Sequence, residues 1–149
     1  MQFSIAIGTA RAQRNNKGIT IVQGGDAGTA EGDFATALVW SSRKGHELPM
    51  LMIVTNNKFG ISTPYAGQHG EIHISDRGKT FCMPTAVVAG HAPEASYAAI
   101  KHAIDYVRTE RKPYLPAAMV SRLVAHPPPR DHDGQPAGRA RLRRVPGPR

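Results

Sequence analysis

An acidic residue set behind two glycines, Gly24-Gly25-Asp26, and a pair of amides, Asn56-Asn57, lie 31 residues apart measured from Asp26 to Asn57. Each knot closes an apolar run, Gly18–Gln23 before the first and Pro49–Thr55 before the second. A carboxylate, a side-chain amide oxygen and a neighbouring backbone carbonyl are hard oxygen donors. They suit Mg²⁺ or Ca²⁺ rather than zinc. Mg²⁺ takes few protein ligands and completes its octahedron with water and phosphate oxygens. Gly24, Gly25 and Gly28 let the backbone approach a phosphate, and a helix starting just beyond them offers unpaired N–H groups and a positive dipole end. The local chemistry is that of a metal-bridged diphosphate site. On spacing alone, a turn or capping aspartate and a plain asparagine turn are the bland alternatives.

For these residues to meet, the chain between them must fold back on itself. Ile19–Val22 and Met50–Val54 read as buried parallel strands, apolar on both faces. Glu31–Arg43 reads as the helix between them, with acids in its first turn and Arg43-Lys44-Gly45 closing it. In a strand–helix–strand unit both strands run parallel, and their carboxyl ends share one edge of the sheet. Ligands of open α/β sheets bind in the crevice outside that edge.

The remaining chain supplies more of the same architecture. Residues 3–12 read as a helix packed on the sheet, and Arg14–Gly18 as a turn. Residues 64–83 read as a surface loop in which His69 and His73 are solvated and Cys82 is a buried or bystander thiol. Thr85–Ala89 reads as a strand. A helix follows to Arg111, with Pro93 in its first turn and Tyr97, Ile100, Ile104 and Val107 on one stripe. Tyr114–Arg122 reads as a further strand, although Pro116 removes a ladder donor.

The composition leaves one domain with a real core: 149 residues, 40% of them hydrophobic. No run approaches the roughly 20 apolar residues of a membrane span, and the start lacks the basic and apolar regions of a signal peptide. The single cysteine forbids an internal disulfide and fits a reducing compartment. Half of the net charge of +8 comes from residues 127–149, where six arginines face two aspartates.

Three blocks in order, GDAGTAEGDFATAL, NNKFGISTP and RKPYLPAAMVSRL, resemble the alpha subunit of the thiamine diphosphate-dependent first component of 2-oxo acid dehydrogenase complexes, the pyruvate and branched-chain 2-oxo acid dehydrogenases. The resemblance covers about residues 2–126. It implies a three-layer α/β sandwich with helices on both faces of a parallel sheet, here incomplete. It implies thiamine diphosphate and Mg²⁺ as cofactors. Asp26, Asn57 and the backbone carbonyl of Phe59 fall on the metal ligands, and Ala27 and Gly28 on the residues whose N–H groups meet the diphosphate. The usual GDG is GDA here, so Ala27 must hold a negative φ or leave the turn to Gly28. Gln2 falls on a position that helps bind a structural monovalent cation in some members, and Thr55 on one that is arginine in others. His126 falls by register on a histidine that contacts the cofactor near the diphosphate, the alternative being a histidine in a frayed tail. The implied reaction is oxidative decarboxylation of pyruvate or a branched-chain 2-oxo acid, with the thiazolium ring as electron sink and acyl transfer to a lipoyl group. The implied partners are a beta subunit, in an α2β2 heterotetramer, and the lipoyl-bearing acyltransferase. The beta subunit brings the carboxylate that activates the cofactor. The implied setting is the bacterial cytoplasm or the mitochondrial matrix.

Domain organisation follows: residues 1–126 as a partial thiamine diphosphate-binding domain, and 127–149 as a Pro/Arg-rich tail. The tail holds six Pro, six Arg and three Gly, cannot bury a core, and reads as disordered or as the product of a frameshift. Family alpha subunits carry long segments before the first block, so Met1 reads as an internal or misassigned start. Two rival functions stand beside the enzyme: an inactive truncated fragment, and a basic nucleic-acid binder driven by the tail. The tail lacks aromatic residues for base stacking, so the second rival predicts only salt-sensitive, non-specific binding.

Overall fold

The computed structural model describes residues 1–123. His126 and the tail lie outside the described residues.

Helix α1 spans Gln2–Ala12, strand β1 Thr20–Gly25, helix α2 Gly32–Ser41 and strand β2 Met50–Asn56. A small hairpin follows, β3 (Phe59–Gly60) with β4 (Thr63–Pro64), and then a short helix α3, Asp76–Thr80. Strand β5 (Thr85–Ala89), helix α4 (Pro93–Glu110) and strand β6 (Leu115–Met119) complete the described chain. The main sheet has the order β1-β2-β6-β5, and its three pairings are all parallel.

The second strand shows why this is a layered α/β fold. Met50, Met52 and Val54 point to one face, where they join Phe3, Ala6 and Ala10 of α1 and Phe34, Ala37 and Leu38 of α2. Leu51 points to the other face and packs with Ala103 and Val107 of α4 and with Tyr114. Helices therefore cover both faces, as expected. The close approach of α1 depends on Gly24: a Cβ there would stand 2.7 Å from Phe3 Cζ. Gly24→Ala should destabilise the chain by about 1–3 kcal/mol through overpacking. An unchanged urea midpoint for that variant would show that α1 yields freely.

Four expectations need correction. First, β1 is not apolar-buried on both faces. It is the edge of the described sheet, its burial alternates, and Ile21 is 51% exposed. Second, the α4 stripe is rotated: Ala103 and Val107 are its buried residues, whereas Tyr97 is 71% exposed. The small alanine faces the sheet because it lets the helix come close, and the larger stripe residues fall to the side. Third, residues 64–83 are not simply a surface loop. They contain α3 and bury Ile74 and Ser75. Fourth, His69 is not solvated: its side chain is fully buried and its ring stacks on Tyr65 at 4.4 Å. Cys82 is exposed, as a bystander thiol would be.

Pro116 sits in a central strand after all. The Tyr114 N–H reaches the Met50 carbonyl on β2, and the Leu115 N–H reaches Pro84 on the β5 side. The next donor due toward β2 is the one proline lacks. Pairing between β2 and β6 resumes only at Val54–Ala117.

Candidate functional site

The two knots meet. In the register of β1 on β2, Gly25 stands opposite Thr55, and the Asp26 N–H continues the ladder to the Thr55 carbonyl at 3.1 Å. Asp26 therefore leaves β1 beside the point where Asn56 and Asn57 leave β2, on the carboxyl edge of the sheet.

After Asp26 the chain turns at once into a single 3-10 turn, Ala27–Ala30. Thr29 closes it: its N–H and its hydroxyl both donate to the Asp26 carbonyl, at 2.9 and 2.6 Å. This turn answers the GDA departure. Ala27 is absent from the positive-φ residues, and so is Gly28, so the alanine costs no backbone strain. Neither Gly25 nor Gly28 has any heavy atom within 4 Å of where a Cβ would stand. Packing does not require glycine at either position, and both leave open space beside the turn.

Asp26 is 3% exposed, and its Oδ2 has no hydrogen-bond partner. A buried carboxylate oxygen without a partner costs folding free energy, and a cation at that oxygen would remove the cost. Burial pushes the Tyr65 hydroxyl up from its ordinary pKa, the carboxylates of Glu71, Asp26 and Asp76 push it the same way, and Arg77 opposes them. Tyr65 thus sits within the field of Asp26.

The asparagines divide their work. Asn56 is fully buried; its Oδ1 accepts from the Lys58 N–H at 2.9 Å, and its carbonyl accepts from the N–H of Val120, just past the end of β6. Asn57 is half-buried, and its Oδ1 accepts from the Phe59 N–H at 2.8 Å. Two overlapping Asx turns thereby hold Lys58 at φ 67° and direct the chain back past the Asp26 turn. Phe59 stands opposite Pro64 in the hairpin, and the Tyr65 N–H bonds the Lys58 carbonyl at 2.9 Å, so Phe59–Pro64 is a non-hydrogen-bonded pair and the Phe59 carbonyl points away from β4. Of the donors expected from the sequence, Asp26 precedes the Ala27–Ala30 turn and Asn57 and Phe59 lie at the start of the hairpin, whose first strand touches that turn. Among the described residues no group of three His, Cys, Asp or Glu side chains could hold a metal, so a cation here depends on amide and carbonyl oxygens as well. The Thr55 hydroxyl accepts from Gln23 Nε2 at 2.9 Å, and Gln2 Nε2 donates to the Gln23 carbonyl.

Reading the sequence missed three site residues. Asn56 was detectable by period-two counting, because it shares the inward parity of Met52 and Val54. His69 and Arg77 carried no such signal. They reach the site only through the fold of residues 64–80, where Arg77 donates to the Thr29 carbonyl.

The family model for the dehydrogenase E1 component matches residues 1–135. Among curated relatives, 2-oxoisovalerate dehydrogenase subunit alpha of Bacillus subtilis (strain 168) is 33% identical over 127 residues, covering 84% of this chain and 38% of the relative. Pyruvate dehydrogenase E1 component subunit alpha of Acholeplasma laidlawii is 32% identical, over 84% of this chain and 36% of the relative. The mitochondrial 2-oxoisovalerate dehydrogenase subunit alpha of Caenorhabditis elegans is 34% identical, over 84% and 29%. The chain thus spans little more than a third, at most, of the length of these relatives. They include bacterial and mitochondrial proteins. Among the described residues no helix is long and apolar enough to cross a membrane.

Proposed function

The chain belongs to the dehydrogenase E1 component family, and on that premise we propose that it supplies the metal and diphosphate half of a thiamine diphosphate site in a 2-oxo acid dehydrogenase alpha subunit. The observation that carries this reading is Asp26, buried, with one carboxylate oxygen unpartnered, beside the Asn56-Asn57 turn at the carboxyl edge. Mg²⁺ is the cation that fits best, since a sparse set of hard oxygens leaves room for phosphate oxygens. Asp26, the Asn57 side chain and the Phe59 carbonyl would hold it. The backbone N–H groups of Ala27 and Gly28 would face the diphosphate.

When bound, thiamine diphosphate supplies the electron sink for decarboxylating a 2-oxo acid. The residues of this chain do a narrower task. They would hold the diphosphate end and the metal that offsets its charge, and so would fix where the reactive ring stands. No described side chain is assigned as general base. In this reading a beta subunit completes the site in an α2β2 assembly, and a lipoyl-bearing acyltransferase takes the acyl group. The substrate is pyruvate or a branched-chain 2-oxo acid. His126 would contact the cofactor near the diphosphate, from a position outside the described residues.

Calorimetric titration of the chain with thiamine diphosphate tests the reading. Binding should be seen with Mg²⁺ and lost when the metal is chelated. A chain that is folded by circular dichroism yet binds nothing with Mg²⁺ present would overturn it.

A further inference from the structure

Arg77 links several segments of the described chain. One guanidinium nitrogen donates to the Thr29 carbonyl at 2.5 Å, 48 residues away in sequence. The other stands 2.7 Å from Glu71 Oε1 and 3.3 Å from His69 Nδ1. The same group lies 5.9 Å from the ring centroid of Phe34, a fully buried residue of α2. One side chain thus joins α3, the loop before it, the first turn of α2 and the 3-10 turn behind Asp26. Glu71 and His69 are buried enough to fix the guanidinium plane, since their side chains are 20% and 0% exposed.

Arg77 bears on Asp26 through one residue. Thr29 holds the Asp26 carbonyl with two hydrogen bonds, and Arg77 holds the Thr29 carbonyl. A second contact, from the β3–β4 hairpin, presses on the same turn. A Cβ on Gly60 would stand 2.6 Å from the Ala27 methyl and 2.2 Å from Gln68 Nε2, so the backbone at Gly60 packs on the turn with no space to spare.

We infer that Arg77, oriented by Glu71 and His69, is a positioning residue for the diphosphate turn, holding Ala27–Ala30 so that its N–H groups and Asp26 present one fixed cradle. The inference rests on the proposed function for its ligand, and on the geometry alone for the clamp. Arg77 is not a diphosphate ligand, because its fork already serves Thr29, Glu71 and His69. It acts by removing freedom from the turn, which would otherwise be lost when the ligand binds. A planar fork can hold a carbonyl and a carboxylate at once; the lysine ammonium is a point charge that cannot reproduce that geometry.

The test compares the 149-residue chain with its Arg77→Met and Arg77→Lys variants. Without ligand, hydrogen exchange in a peptide spanning residues 26–34 should quicken about tenfold or more in Arg77→Met, with the β2 and β6 peptides unchanged; Arg77→Lys should restore part of the protection. Calorimetry with Mg²⁺ and thiamine diphosphate should show binding weakened about tenfold or more in Arg77→Met. Unchanged exchange at 26–34 overturns the inference. So does quickened exchange with undiminished affinity. If Arg77→Met loses protection everywhere, Arg77→Lys decides: quickening confined to 26–34 supports the clamp, and no local change overturns it. A parent chain that does not bind, with the local quickening present, overturns the proposed function and leaves the clamp standing.

Discussion

Asp26→Asn should weaken Mg²⁺-dependent binding of thiamine diphosphate by about 100-fold or more, since disturbing even an outer-shell partner of a metal typically costs 10–100-fold. The same change should not harm the fold. The Asp26 side chain is nearly inaccessible, and its Oδ2 has no partner, a defect that typically costs about 1–3 kcal/mol. The contacts that shape the turn are made by the Asp26 backbone, not its side chain: the N–H to Thr55 and the carbonyl to Thr29. The amide keeps the shape and removes the buried charge. The variant should therefore unfold in urea at the same midpoint as the parent chain or at a higher one. Lost affinity with retained or improved stability identifies a residue kept for its ligand. A turn or capping aspartate would show the opposite pair of results, a lower midpoint and unchanged affinity.

This prediction separates the two kinds of information that the sequence carries. The strand–turn–helix–strand unit was legible because its signals are local: β-branched runs, glycines behind them, and acids opening the helix. Parallel pairing then follows from connectivity, which puts Asp26 and Asn57 on one edge. What stayed illegible depends on contacts distant in sequence. Ile21 looks like a core residue in a run of Ile, Thr, Ile and Val, yet half of it is exposed, because α4 packs over β2, β5 and β6 and leaves the far edge of the sheet uncovered. His69 looks like a loop histidine between two glycines. Its burial is decided by Tyr65, four residues earlier, and by Arg77, eight residues later. Both are helical spacings, but the segment is a 3-10 turn, a bend and a five-residue helix rather than one helix, so a helical period could not be trusted across its glycines. The α4 stripe failed for a related reason. Helical spacing locates an apolar face, but which of two adjacent faces meets the sheet depends on where small residues permit close approach, and Ala103 decides it here.

Asn56→Asp should cost the chain about 3–5 kcal/mol at neutral pH, the scale for an uncompensated buried charge, with a pH dependence that the parent lacks. Asn56 is wholly inaccessible and lies between the two sheet neighbours of β2 at the point where that strand ends. Its Oδ1 receives one N–H, from Lys58, and its Nδ2 has no partner, so the surroundings offer a carboxylate a single donor. The cation nearest in sequence, Lys58, is turned away onto the Tyr65 ring, 3.8 Å from its centroid. Burial disfavours the charged form, so the pKa of the new carboxyl must lie above that of the same group in the unfolded chain. Between those two values the native state holds one more proton than the unfolded state. Stability then falls as pH rises, starting from about pH 4 and by about 1.4 kcal/mol per pH unit, until the folded-state pKa is passed. Domains of this size have only about 5–15 kcal/mol in total, so the loss should be plain in urea titrations at pH 4.5, 6 and 7.5. Asn57→Asp supplies the contrast. That side chain is only half-buried, so its new carboxyl should shift little and its midpoint should follow the parent across the same range. The two neighbouring amides would then be distinguished by titration: Asn56 as the one sealed inside the turn, and Asn57 as the one whose surroundings admit a charge. A pH-independent difference between Asn56→Asp and the parent would mean that the turn opens and solvates the new charge, and that Asn56 does not hold it closed.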